Sequence, residues 1–245
     1  MNNLKYFNIT SAALHIMAMA FMLCDHLWAT IIPGNDWLTC IGRVAFPIFA
    51  FMIVEGYFHT GNLRKYVMRL LLLAVISEIP FNLMYSSGWI FPFHQNVIWT
   101  LLMGLGLIHL NECVRNKGKM LLRIFTAIMT VAVGVLLGMI TMVDYNGVGV
   151  LIVLVFYFFR QRKWWSFLGQ LVVLYYLNVE VLSGLYYEVS VLGMNFQLVQ
   201  QGLALLSLIP IWLYGGRQGY HSKWFQYFCY GFYPVHMLLL YILRI

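Results

Sequence analysis

The residues of this sequence that could do proton-transfer or acyl chemistry lie inside or beside apolar stretches: Asp25, His26, Arg43, Glu78, His94, Asn96 and His236. A carboxylate that orients a histidine gives a base that works near neutral pH. Asp25 and His26 are adjacent, so on a helix they point about 100° apart and cannot easily pair with each other. Each then needs a partner on another element. Arg43 can pair with Asp25 or with Glu78, and that ion pair also has a purely structural reading, because charges inside a membrane usually pair. His26, His94 and His236 are the histidines placed for a base. His15, His59, His109 and His221 fall near the opposite ends of their apolar runs or in loops. Three histidines could in principle bind zinc, but no HExxH-like spacing is present and no metal is expected.

Prolines accompany three of these positions. Pro47 follows Arg43 by four residues, so it cannot donate to the Arg43 carbonyl and frees it beside the Arg43 side chain. Pro80 follows Glu78, and Pro234 precedes His236. Broken helices at membrane depth are tolerated where they face protein or a cavity, so these prolines predict a cavity lined by the polar residues.

The elements that must position these residues are membrane spans. The chain has 245 residues, 62% hydrophobic and 9% charged. A soluble domain carries roughly 25% charged residues, so this chain cannot cover a water-facing surface, and lipid must be its solvent. Apolar runs occur at 9–29, 37–57, 66–84, 96–112, 120–142, 147–160, 164–182, 196–214 and 225–243. They predict an all-α, polytopic transmembrane bundle of about nine spans in one integral membrane domain, at about 20 apolar residues per span. Lys5 followed by an apolar run to Trp28 has the outline of a signal peptide. No small-x-small site comes after it and Asp25-His26 interrupt the run, so it reads as a retained first helix. Cys24 and Cys40 fall near the same ends of their helices, where a disulfide could form; no cysteine spacing suggests a metal or redox motif.

With a cytoplasmic N-terminus, all of the 15 basic residues except Arg43 and Arg244 fall on cytoplasmic segments. These include Lys5, Arg64, Lys65, Arg69, Arg115, Lys117, Lys119, Arg123, Arg160, Arg162, Lys163, Arg217 and Lys223. This lysine–arginine bias predicts an inside N-terminus and an outside C-terminus. It accounts for the net charge of +7 without any nucleic-acid partner, since no basic stripe with interleaved aromatics is present. In this orientation the polar residues gather in the outer half of the membrane. A charged side chain there costs about 2.5–3.5 kcal/mol on insertion scales and marks a functional site. A proton relay or transport path is one alternative, and charges acting as helix glue in a conjugation or secretion assembly are another. The one-sided gathering argues against a transporter or channel.

Several stretches, in order along nearly the whole chain, resemble the TraX family of membrane proteins. They are Asp25-His26, the run from Ile41 through Arg43 and Pro47 to Phe51, and Val54-Glu55-Gly56-Tyr57-Phe58-His59-Thr60. Ser77-Glu78-Ile79-Pro80-Phe81-Asn82, Gln95-Asn96-Val97 with Thr100-Leu101-Leu102, and Tyr233-Pro234-Val235-His236 complete the set. The family takes its name from a conjugation protein that acetylates the N-terminus of F-type pilin, and it is grouped with broader transmembrane acyltransferases. The resemblance implies a bacterial plasma (inner) membrane enzyme. It would move an acetyl group from cytoplasmic acetyl-CoA to an amine or hydroxyl of a peptide, glycan or lipid-linked acceptor. In that picture Arg64, Lys65, Arg115, Lys117 and Lys119 meet the phosphates of the cosubstrate. His26 or His236 deprotonates the acceptor or takes the acetyl group, Asp25 or Glu78 orients the histidine, and Arg43 or Asn96 stabilises the oxyanion.

Overall fold

The computed structural model describes residues 8–191 and 194–244; Lys5 lies outside them. The chain is mostly helical. Its helices are α1 (Ser11–Thr30), α2 (Asp36–Gly42), α3 (Ala45–His59), α4 (Leu63–Ser86), α5 (Val97–Lys117), α6 (Met120–Ile140), α7 (Asn146–Phe158), α8 (Trp164–Tyr175), α9 (Leu208–Trp212) and α10 (Lys223–Arg244). Side-chain oxygens cap four of them. Thr10 accepts from the Ala13 amide (3.3 Å) at α1, Asn62 from Lys65 (2.9 Å) at α4, Asn96 from Ile98 (3.1 Å) at α5 and Ser222 Oγ from Phe225 (3.0 Å) at α10, satisfying amides that a helix start leaves unpaired.

Six helical stretches among the described residues are long and apolar enough to cross a membrane: Ser11–Thr30, Asp36–His59, Leu63–Ser86, Val97–Lys117, Met120–Ile140 and Trp164–Leu182. Three of the nine expected spans are not among them. The run at 147–160 forms only the 13 residues of α7. The run at 225–243 forms α10, which at 22 residues is long enough but interleaves polar and aromatic residues with its apolar ones. The run at 196–214 is not one helix and corrects the all-α expectation. It begins in an antiparallel hairpin of β1 (Tyr186–Val191) and β2 (Met194–Val199), in register from Tyr186↔Val199 to Val191↔Met194. It continues as a 3₁₀ helix over Gln200–Ser207 and ends in α9. A hydropathy window sums apolarity and is blind to period. The alternation of Met194, Phe196 and Leu198 with Asn195 and Gln197 is a strand pattern.

The chain divides into two compact units. One comprises the residues up to Phe49 and those from Lys163 onward; the other is Ala50–Arg162, the boundary falling inside α3. In the first, α1 packs on α2 and on α10. A seven-residue π-helical stretch, Tyr176–Leu182, continues α8 and meets the 3₁₀ helix. Cys24 and Cys40 are both free thiols.

In the second unit α5, α6 and α7 pack together. Here α6 shows a lipid-adapted pattern. Its buried residues are Thr130, Gly134 and Gly138, one stripe at intervals of four, while Ile128, Leu136 and Ile140 are exposed. Small residues inside and large apolar ones outside are what helix association in a membrane favours. A Cβ on Gly138 would lie 2.6 Å from the backbone of Asn146 and Gly147, so only glycine permits this approach of α6 and α7. Thr130 also accepts a hydrogen bond from Asn111 Nδ2 on α5 (2.9 Å).

Candidate functional site

In the first unit α1 delivers Asp25 and His26 to different partners, as adjacent helical residues must. Asp25 pairs with Arg43. Arg43 sits at the break between α2 and α3, where Pro47, in the first turn of α3, has no N–H to offer its carbonyl. The interruption turns the guanidinium toward α1. Thr39 Oγ1 donates to Asp25 Oδ1 (2.7 Å) and accepts from Arg43 NH2 (3.1 Å), and Arg43 Nε donates to the Thr39 carbonyl (3.3 Å). Gly42 lets α2 come this close: a Cβ there would stand 2.7 Å from Asp25 Oδ1.

The network continues through residues that sequence reading did not single out. Arg43 NH1 donates to Gln201 Oε1 on the 3₁₀ helix (3.4 Å), and Gln201 Nε2 donates to Asn178 Oδ1 on the π-helical stretch (3.1 Å). Asn178 in turn donates to the Leu174 carbonyl (2.8 Å). Gln201 and Asn178 are uncharged polar residues within apolar runs, a signal that a search confined to ionisable groups passes over.

His26 pairs with His236, 210 residues away on α10, at 2.7 Å between Nδ1 and Nε2. Both residues are buried, at 7% and 5% exposure. The ring planes differ by 8° with centroids 4.9 Å apart, so the two imidazoles lie edge to edge in nearly one plane, with the hydrogen along the acceptor lone pair. His236 Nδ1 is 2.6 Å from the Phe232 carbonyl, which can only accept. His236 Nδ1 therefore carries a hydrogen, and its Nε2 accepts from His26 Nδ1. In the neutral pair this sequence of bonds leaves the lone pair of His26 on Nε2. Phe232 stacks on the far ring, with centroids 4.8 Å apart.

The remaining predicted residues lie in the second unit. Asn96, which caps α5, donates from Nδ2 to the Ala74 carbonyl (2.9 Å) and to Glu78 Oε2. Trp99 Nε1 donates to the same Glu78 oxygen (3.0 Å). Both Nδ2 hydrogens of Asn96 are thereby engaged, so in this geometry it positions Glu78. His94 Nε2 is 3.3 Å from Asp144 Oδ1, in loops that also join through Gln95 and Asp144 backbone hydrogen bonds. The Asp144 hydrogen bond raises the pKa of His94. Structure thus brings Asp25, His26, Arg43 and His236 together, and separately Glu78, Asn96 and His94.

The expectation that polar groups gather on one side is corrected by the other end of α5. Glu112 is buried there, at 7% exposure, accepting from Tyr157 OH (2.8 Å) and paired with Arg115 (2.9 Å). Glu55 pairs with Arg160 at 2.7 Å, and that guanidinium lies 4.0 Å over the Phe58 ring. Arg64, Lys65, Arg115, Lys117 and Lys119 are all exposed at helix ends. Arg115 is engaged by Glu112. Among the described residues no group of three or more His, Cys, Asp or Glu side chains could hold a metal ion.

Apolar helices with small residues turned inward, and a buried histidine pair beside an ion pair, define a helical membrane protein with a polar interior site. The chain belongs to the TraX family: the family model described as TraX protein matches residues 10–244. It is also similar to a curated relative, the probable fimbrial assembly protein FimC, serogroup H1, of Dichelobacter nodosus. The two are 33% identical over 109 residues, which cover 38% of this chain and 42% of the relative's length. No solved structure matches the chain.

Proposed function

We propose that this protein is a multi-pass enzyme of the bacterial inner membrane that transfers an acetyl group from cytoplasmic acetyl-CoA to an amine or hydroxyl of an acceptor at or beyond the membrane. A peptide N-terminus or a glycan is the acceptor class. The observation that carries the reading is the buried His26–His236 hydrogen bond at 2.7 Å. An imidazole whose Nδ1–H is already committed presents its lone pair at Nε2, the arrangement a general base needs. In the reaction His26 Nε2 takes the acceptor proton as the acceptor nitrogen or oxygen attacks the thioester carbonyl. Arg43 stabilises the oxyanion, the carbon–sulfur bond breaks, and the proton leaves on the thiol of coenzyme A. Asp25 holds Arg43. The exposed basic side chains, with the inside N-terminus and outside C-terminus given by the lysine–arginine bias, are the entry side for the cosubstrate. Membership of the TraX family and likeness to a fimbrial assembly protein support an envelope peptide as acceptor.

The test is acetyl transfer by purified protein in detergent from labelled acetyl-CoA, with mass spectrometry of envelope peptides and glycans from cells with and without the gene. His26→Ala should lower transfer by about 10²–10⁴-fold, the usual range for a general base. His236→Ala should also lower it, and His236→Gln, whose carbonyl can still accept from His26 Nδ1, should recover part of the loss. Full activity in folded His26→Ala and His236→Ala proteins ends the assignment.

Buried Glu112 with Tyr157, at the opposite end of α5 from Glu78, favours a second reading: a transporter with ionisable groups near both faces. Coenzyme A decides between them. A ligand that binds the native state raises its apparent stability, so thermal stabilisation by coenzyme A supports the enzyme. Solute flux in liposomes without coenzyme A supports the transporter.

A further inference from the structure

Among the described residues, the Glu78 carboxyl and the Asn82 amide each leave one oxygen without a partner. Glu78 Oε2 receives Asn96 Nδ2 and Trp99 Nε1, while Oε1 is buried and accepts from no group among the described residues. Asn82 is 4% exposed. Its Nδ2 donates to the Trp89 carbonyl at 3.4 Å, which fixes the amide orientation, and Oδ1 is buried without a donor. Residues 78 and 82 are one turn apart on α4 and share a face. Two buried acceptors without donors, one of them on a carboxyl group, cost free energy unless a donor arrives from outside the chain. Glu78 as a residue is only half-buried, while its Oε1 is itself buried.

We propose that Glu78 and Asn82 form a binding site for a primary ammonium group. Such a group brings N–H donors and a positive charge together, one donor to Glu78 Oε1 and one to Asn82 Oδ1. The Asn96 cap and the Trp99 indole hold the carboxyl so that Oε1 faces the ligand. Ser77, also buried and without a partner, stands on a different face of α4 and is not part of the site. The proposal is independent of acetyl transfer, since none of these side chains belongs to the histidine pair or its ion pair.

Thermal unfolding of the purified full chain in detergent tests it, with ethylammonium chloride as the probe and sodium chloride and tetramethylammonium chloride at equal ionic strength as controls. Ethylammonium should stabilise saturably, and tetramethylammonium, which has no N–H, should not. Glu78→Gln should raise the half-saturating concentration by about tenfold or more, the worth of a charge-assisted hydrogen bond. Asn82→Asp should lower it, a gain that loss of folding cannot mimic. Equal stabilisation by sodium or tetramethylammonium, an undiminished response in Glu78→Gln, or no saturable response overturns the site. Nanodiscs of phosphatidylethanolamine against phosphatidylcholine then separate two sources of the ammonium. Stabilisation by the former that Glu78→Gln removes assigns a lipid headgroup. Its absence, with the ethylammonium response kept, assigns a soluble amine.

Discussion

The two units solve the problem of polar groups among apolar helices differently. In the unit holding α1 and α10, Arg43, Asn178 and Gln201 stand on backbone that departs from a regular α-helix: a break, a π-helical stretch and a 3₁₀ helix. Their side chains join one continuous network ending on Asp25. In the unit holding α4 to α7 the chain is α-helical throughout its helices, three of them long enough to span, glycines allow close approach, and polar clusters sit toward the two ends of α5. Irregular backbone exposes carbonyls and amides that lipid cannot satisfy, so it occurs where protein groups are on hand to bond them. Departure from the helix and concentration of polar side chains therefore coincide. Single buried oxygens without a partner among the described residues occur in both units, Glu78 Oε1 in the regular one and Ser207 Oγ at the end of the 3₁₀ helix in the other.

This contrast can be broken by mutation. The largest effect is expected at Arg43→Leu, which leaves Asp25 half-buried without its cation and should cost roughly 3 kcal/mol of unfolding free energy. Adding Asp25→Leu should recover much of it, and thermal unfolding of the four proteins in the cycle measures the coupling. No coupling would mean that the network is not what holds the irregular unit. In the regular unit Gly138→Val should cost about 1–3 kcal/mol by overpacking, since its Cβ meets backbone that cannot move aside. A neutral result would show α6 and α7 to be less closely fixed than the network unit.

The smallest effect is expected at His94. Its pKa is raised by Asp144, so the pair contributes fully below the unfolded histidine pKa of about 6.5 and its contribution fades as pH rises through the higher folded value. The melting-temperature difference between wild type and Asp144→Asn should be greatest in mild acid and vanish in alkali. Both side chains are about a third exposed, 37% and 32%, so the difference should be small. A difference independent of pH would exclude the pair as its source.

The separate partners of Asp25 and His26 were legible, because adjacent helical residues diverge. So was the break after Arg43, because Pro47 lacks an N–H. Gln201 and Asn178 were not, since an uncharged amide in an apolar run carries no mark of what it bonds. Nor was the buried role of Glu112, four residues after Ile108 but one turn from the basic helix end that disguises it as a surface charge.

By itself the amino-acid order determined that the chain lives in lipid, where most of its helices run, and which residues pay the cost of being ionisable there. Composition, run length and proline chemistry are local properties, and local properties suffice for that. Only the tertiary structure decided that His26 meets His236, that Arg43 pairs with Asp25, and that the run at 196–214 divides among strand, 3₁₀ helix and α9. Those outcomes depend on which distant surfaces fit, and an apolar run presents much the same hydropathy to every possible neighbour.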